Sequence, residues 1–118
     1  MIGAVVLAGS GPAGATGVVT VGLDEAVFAG HYPGFPVLPG VYLIELVRDT
    51  LDAWLGDVGA LIMLERSRFH RPVRPGDEVT AAVSVVYGDG ELVCTAVVSV
   101  PEGKAADLRL RFRTEVAP

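Results

Sequence analysis

Three groups within fifteen residues have the types and order to do proton chemistry: His31, the backbone N–H of Gly40, and Glu45. Histidine is the side chain most easily used as a base near neutral pH. Glu45 interrupts VYLIELV, a run that is otherwise apolar on every side. Burying an ionised carboxylate is costly, so such a group must be paired, hydrogen-bonded or protonated. Burial favours the protonated acid, which general-acid chemistry uses. A glycine at a helix start offers a backbone N–H with no intrahelical acceptor, on the positive end of the helix dipole. Such a donor stabilises a developing oxyanion. Base, acid and oxyanion donor together suit proton abstraction next to a carbonyl with loss of a leaving group. The competing reading is a structural glutamate, paired to an arginine or capping a loop.

The elements that hold these groups follow from the pattern. Residues 17–23 (GVVTVGL) read as a strand. The next stretch carries Pro33, Pro36 and Pro39 with Gly30, Gly34 and Gly40, which forbid regular structure. The spacing predicts a helix from Val41 to about Leu55, started at Pro39-Gly40 and stopped at Gly56. Residues 61–73 are strand-like, with Arg66, Arg68 and His70 expected on one face and Glu65, Ser67 and Phe69 on the other. RPGD (74–77) is a turn, 78–88 a strand, Asp89-Gly90 a hairpin turn, and 91–100 the returning strand. After a turn at 101–105, residues 106–116 alternate, with Leu108, Leu110 and Phe112 inward and Arg109, Arg111 and Arg113 outward. One helix with an antiparallel meander is an α+β domain. A helix apolar all round is buried all round, so the sheet must curl about it or a second subunit must cover the rest.

FAGHYPGFPVLPGVYLIE (28–45) closely resembles the signature of the beta-hydroxyacyl-acyl-carrier-protein dehydratases, roughly F-x-G-H-F-P-G-x-P-x-x-P-G-V-L-x-x-E. The histidine-to-glutamate spacing of fourteen is the same. SRFHRPVRPGDEV resembles that family's R-F-x-R-P-V-x-P-G-D segment. The resemblance implies the hot-dog fold, a long central helix wrapped by a curved antiparallel sheet, over a single domain of residues 1–118. It implies a homodimer, or a trimer of such dimers, with active sites at the subunit interface. His31 from one subunit would take the C2 proton. Glu45 from the other would position or protonate the departing 3-hydroxyl. The N–H groups of Gly40 and Val41 would hold the thioester oxygen. Phe35 and Pro39 would line the substrate channel. No metal or redox cofactor is implied, and the substrate would arrive on the phosphopantetheine of acyl carrier protein. The implied setting is fatty acid or polyketide-type synthesis.

The sequence departs from the family in three places, one of them Phe35, where the family often has a polar residue. Asp49 stands where a glutamine is common, one turn after Glu45; it adds a second carboxylate there, or faces an arginine, and the latter is the expectation. The family's N-terminal segment with its His-Arg-Tyr-Pro-like stretch has no counterpart, which bears on tunnel shape and oligomer size. Two other functions fit the fold: a hot-dog acyl thioesterase, and a non-catalytic subunit that binds acyl carrier protein.

Charge and composition bound the rest. Apolar residues make up 51% of the 118, which argues against disorder. No apolar run reaches the length of a membrane span, and no signal peptide is evident, so a cytoplasmic protein is expected. The lone Cys94 excludes an intrachain disulfide and reads as core packing. Trp54 is expected to close the far end of the helix against the sheet, and His70 to lie on a sheet face or docking surface. Net charge is −5, yet Arg66, Arg68, Arg71 and Arg74 fall within nine positions. An acidic chain that gathers its arginines suits an acidic protein partner such as the carrier, though alternating arginines also keep a strand edge wet. Nucleic acid is not expected as a partner, since the chain as a whole would repel it.

Overall fold

The computed structural model describes residues 4–22 and 39–114. Within them lie β1 (Val6–Ser10), β2 (Gly14–Thr20), α1 (Val41–Leu55), β3 (Ala60–Phe69), β4 (Glu78–Gly88), β5 (Glu91–Val100) and β6 (Gly103–Arg113). The strands form one antiparallel sheet in the order β1-β2-β4-β5-β6-β3. Among the described residues one helix lies on one antiparallel sheet, the hot-dog architecture expected from the sequence.

Period-two patterning builds the sheet. Val79, Ala81, Val83 and Val85 of β4, Leu92, Cys94, Ala96 and Val98 of β5, and Leu108, Leu110 and Phe112 of β6 all point inward and are buried. The β4–β5 hairpin closes through Asp89 (φ 50°) and Gly90 (φ 72°). Positive φ at both central residues matches the twist of the flanking strands. Helix α1 lays Leu43, Leu46, Val47, Thr50 and Leu51 on this face, and Trp54 packs against the core from its last turn. Val41 remains 64% exposed, and Tyr42 and Ile44 are half-buried. Within one chain, therefore, the sheet covers a stripe of the helix and does not enclose it.

Arg48 ties the helix to the start of β3. Its guanidinium donates to the Gly59 carbonyl at 2.6 Å and lies 5.7 Å from the centre of the Phe112 ring. The strand it anchors is unusual: all ten residues of β3 are exposed. β3 stands last in the sheet order, so among the described residues one of its edges has no strand partner. Leu61, Ile62, Met63 and Leu64 lie on that edge strand in contact with solvent.

Strict alternation fails in β3. The register with β6 shifts between Leu61 and Met63 and again between Leu64 and Arg66. Glu65 falls at the second irregularity and joins Arg66 and Arg68 on the outer face, whereas the sequence pattern placed it opposite them. There it accepts from Arg109 Nε at 3.0 Å and Arg111 Nη2 at 2.8 Å. Ser67 and Phe69, paired with Leu108 and Ala106, lie opposite Arg66 and Arg68 as expected, and that face is the inner one.

Candidate active site

The start of α1 supplies the donors. Tyr42 N–H is taken by the Pro39 carbonyl and Leu43 N–H by the Gly40 carbonyl, each at 3.0 Å. No acceptor among the described residues takes the N–H of Gly40 or Val41. The helix has no side-chain N-cap and no acidic residue in its first turn. The positive end of its dipole is thus left to whatever binds in front of it. Gly40 and Pro39 are half-buried.

Glu45 stands on the second turn, half-buried, and is not a free carboxylate. Asp49 follows it one turn later, on the same side of the helix. Burial first, then the charges of Glu45 and Asp52, push the Asp49 carboxyl above the ordinary range. The expectation that Asp49 faces an arginine is not met among the described residues. Its neighbour Arg48 turns instead to the Gly59 carbonyl and, at 3.9 Å, to Asp52. Glu45 and Asp49 thus stand one turn apart on the same flank of α1.

His31 and Phe35 lie outside the described residues. The described part of the site consequently comprises Pro39, Gly40, Val41 and Glu45. Sequence reasoning passed over Phe69, whose ring lies against Gly40. Its signal was available in the pattern, which put Phe69 on the face opposite Arg66 and Arg68.

The arginine cluster is divided by its partners. Arg71 donates to the Lys104 carbonyl at 3.0 Å, and Arg71 and Arg74 both lie 3.8 Å from Glu102. Arg66 and Arg68 make no ion pair among the described residues. The β6 arginines are more fully engaged: Arg109 and Arg111 hold Glu65, and Arg111 also holds Glu91 at 2.6 Å. His70 Nε2 lies 2.8 Å from Asp107, which Lys104 also reaches at 3.2 Å. The hydrogen bond from His70 leads the effects that hold the Asp107 carboxyl below its usual value. Cys94 is fully buried, and burial pushes its thiol up to about 12, so it is an inert part of the core. No helix among the described residues is long and apolar enough to cross a membrane.

Comparison with known proteins decides the family. The profile of the ApeI-like dehydratases matches residues 11–106, most of the chain and all of the site just described. This chain belongs to the ApeI-like dehydratase family. It is 35% identical over 96 residues to the 3-hydroxyacyl-[acyl-carrier-protein] dehydratase FabZ of Latilactobacillus sakei, covering 64% of this chain and 69% of that one. The resemblance read from the two sequence signatures is thereby borne out. The fold is shared with a chain of the dehydratase heterocomplex ApeI:P from Xenorhabdus doucetiae, at a TM-score of 0.71 and 18% identity over 90% of this chain and 95% of that one. A thioesterase from Haemophilus influenzae shares it too, with a TM-score of 0.65 and 20% identity over 91% of this chain and 75% of that one. The ApeI-like dehydratase fold is therefore common ground for more than one chemistry, and the site must choose between them.

Proposed function

We propose that this chain dehydrates a 3-hydroxyacyl thioester, carried on the phosphopantetheine of acyl carrier protein, to the 2-enoyl thioester. The C2–H bond breaks and its proton goes to His31. The electron pair forms the C2=C3 bond, the C3–O bond breaks, and the hydroxyl leaves as water with a proton held at Glu45. The N–H groups of Gly40 and Val41 take the charge that gathers on the thioester oxygen. Phe35 and Pro39 line the channel for the acyl chain. The elimination moves no electrons to or from an outside acceptor, so it calls for no redox cofactor.

The observation that carries this reading is the dehydratase family match across the whole His31-to-Glu45 segment, on a helix whose first two turns offer donors with no acceptor among the described residues and then a carboxylate. A thioesterase would use a carboxylate to drive water onto the thioester carbonyl, and the histidine of this loop is surplus to that reaction. One assay separates them. Incubation with a 3-hydroxyacyl carrier thioester yields the 2-enoyl thioester in the first case and free carrier thiol in the second. Neither product, with carrier binding intact, would support the non-catalytic subunit.

The working unit is a homodimer, alone or as a trimer of dimers, in which a second copy covers the flank of α1 and the β3 edge. An exposed edge strand carrying Leu61, Ile62, Met63 and Leu64 invites strand pairing and aggregation unless it is covered. A second copy would also bring its own His31 towards this chain's Glu45. Light scattering on the purified chain should give twice or six times the chain mass. A monomer that gains activity only with a different hot-dog chain would replace the homodimer by a heterocomplex.

A further inference from the structure

Gly40 has φ −56° and ψ −28°, ordinary right-handed helical values. Its backbone does not demand glycine, because any residue adopts that conformation. Space demands it. A Cβ built on Gly40 would lie 2.7 Å from Phe69 Cζ and 2.8 Å from Phe69 Cε1, well inside the 3.5–4.0 Å at which carbon atoms pack. The ring of Phe69 is therefore seated against the α-carbon of the residue whose N–H opens the helix. It reaches there from the end of β3, where pairing with Ala106 turns it to the inner face.

A phenylalanine whose only task was to fill the core would be buried. Phe69 stays 51% exposed, so part of the ring lies against Gly40 and part remains accessible beside the helix start. The N–H groups of Gly40 and Val41, which have no acceptor among the described residues, are in the same place.

We propose that Phe69 is a positioning residue of the active site, its ring forming the wall that holds the thioester against the N–H groups of Gly40 and Val41. The inference rests on the dehydratase reading and adds a residue to it. Oxyanion donors work when they lie 2.7–3.1 Å from the place where charge develops. A wall fixed to the donor's own α-carbon sets that distance, because carbonyl and donor are referred to one rigid contact. The wall also keeps competing water from one side of the donors. Glycine at position 40 is then the consequence of the aromatic contact.

The test is steady-state dehydration of a 3-hydroxyacyl carrier thioester by the full-length chain and by F69A, F69L, G40A and G40A/F69A, with thermal unfolding of each. Small misplacements of a reacting group cost up to about a hundredfold. F69A should therefore lower kcat by about ten- to a hundredfold, with KM changed less than about twofold. F69L, which keeps bulk on Gly40, should recover part of that loss. G40A alone should match F69A, since its methyl displaces the ring, and G40A/F69A should be no worse than the poorer single variant. A lower unfolding temperature with wild-type kcat in F69A and F69L would mean a purely structural ring and would overturn the proposal. Losses that multiply in the double variant would overturn it too. Absence of dehydration by the wild-type chain on any 3-hydroxyacyl thioester would instead remove the dehydratase reading, and this proposal with it.

Discussion

Thr50 of α1 lies so close over Gly17 of β2 that the glycine has no room for a side chain: the hydroxyl and methyl of Thr50 occupy the space of its Cβ. Thr50 is fully buried, and its hydroxyl donates to the Leu46 carbonyl at 2.9 Å one turn back. The contact is where the helix crosses the sheet, so it sets the height of α1 and with it the position of Glu45. Gly17→Ala should destabilise the protein by about 1–3 kcal/mol, the usual cost of overpacking. Thr50→Ala in the same chain should recover part of the loss. Urea unfolding of the three variants measures both, and additive losses would mean that the contact does not set the fit.

Much of this arrangement was legible in the sequence because local chemistry and tertiary packing agree. The helix from Val41 to Leu55, the strands at 78–88 and 91–100, and the Asp89-Gly90 turn stand where patterning and turn residues put them. β1 was not legible: VLAGS has no alternation strong enough to mark a strand, and it forms by pairing with β2. The side taken by Glu65 was not legible either, because an irregularity in register is a property of two strands together. That Arg48 turns from Asp49 follows from its guanidinium finding the Gly59 carbonyl, a contact eleven residues away that no helical spacing announces. Phe69 was placed on the right face, but its contact with Gly40 joins two segments far apart in the chain.

Replacing His31 or Glu45 should abolish dehydration and leave the assembly intact. Glu45→Gln keeps the shape and loses the acid, so it is the cleaner variant; near wild-type turnover would contradict the role given to Glu45. The losses should not add, since either one breaks the same catalytic unit. If the two residues come from different subunits, mixing a His31→Ala chain with a Glu45→Gln chain should restore part of the activity, because a heterodimer carries one site with both residues intact. Verified subunit exchange with no recovery would count against a shared site.

Asp49 should make stability fall as pH rises. Its carboxyl is raised in the folded protein from the ordinary 3.8, so the folded state binds its proton more tightly than the unfolded state does. That contribution is fully present below 3.8 and is lost as pH climbs through the raised folded value. Asp49→Asn removes the unfavourable charge, so its stability relative to wild type should improve from pH 3 to pH 7. Glu65 has the opposite sign. The hydrogen bonds from Arg111 and then Arg109 hold its carboxyl below the ordinary 4.5, so its contribution is present above that value and disappears as the medium is acidified. Denaturant titrations of Asp49→Asn and Glu65→Gln across this range should give difference curves of opposite slope, and parallel curves would refute both assignments.

The arginines should act on encounter with the carrier more than on chemistry. Arg66 and Arg68 share the outer face of β3 and have no ion-pair partner among the described residues, while Arg71 and Arg74 divide the charge of one exposed carboxylate, Glu102. An acidic partner should therefore meet Arg66 and Arg68 at full charge, and charge complementarity of this kind raises association rates. The Arg66→Ala/Arg68→Ala variant should show a several-fold higher KM for carrier-linked substrate, and Arg71→Ala/Arg74→Ala a smaller rise. Turnover of a pantetheine thioester without the carrier should be nearly unchanged, because that substrate makes no docking contacts. Added salt should shrink the difference, since exposed charges are screened over about 8 Å at physiological ionic strength. Equal losses on both substrates, indifferent to salt, would make these arginines structural. The docking surface would then not be transferred to β6, where Arg109 and Arg111 are already committed to Glu65 and Glu91.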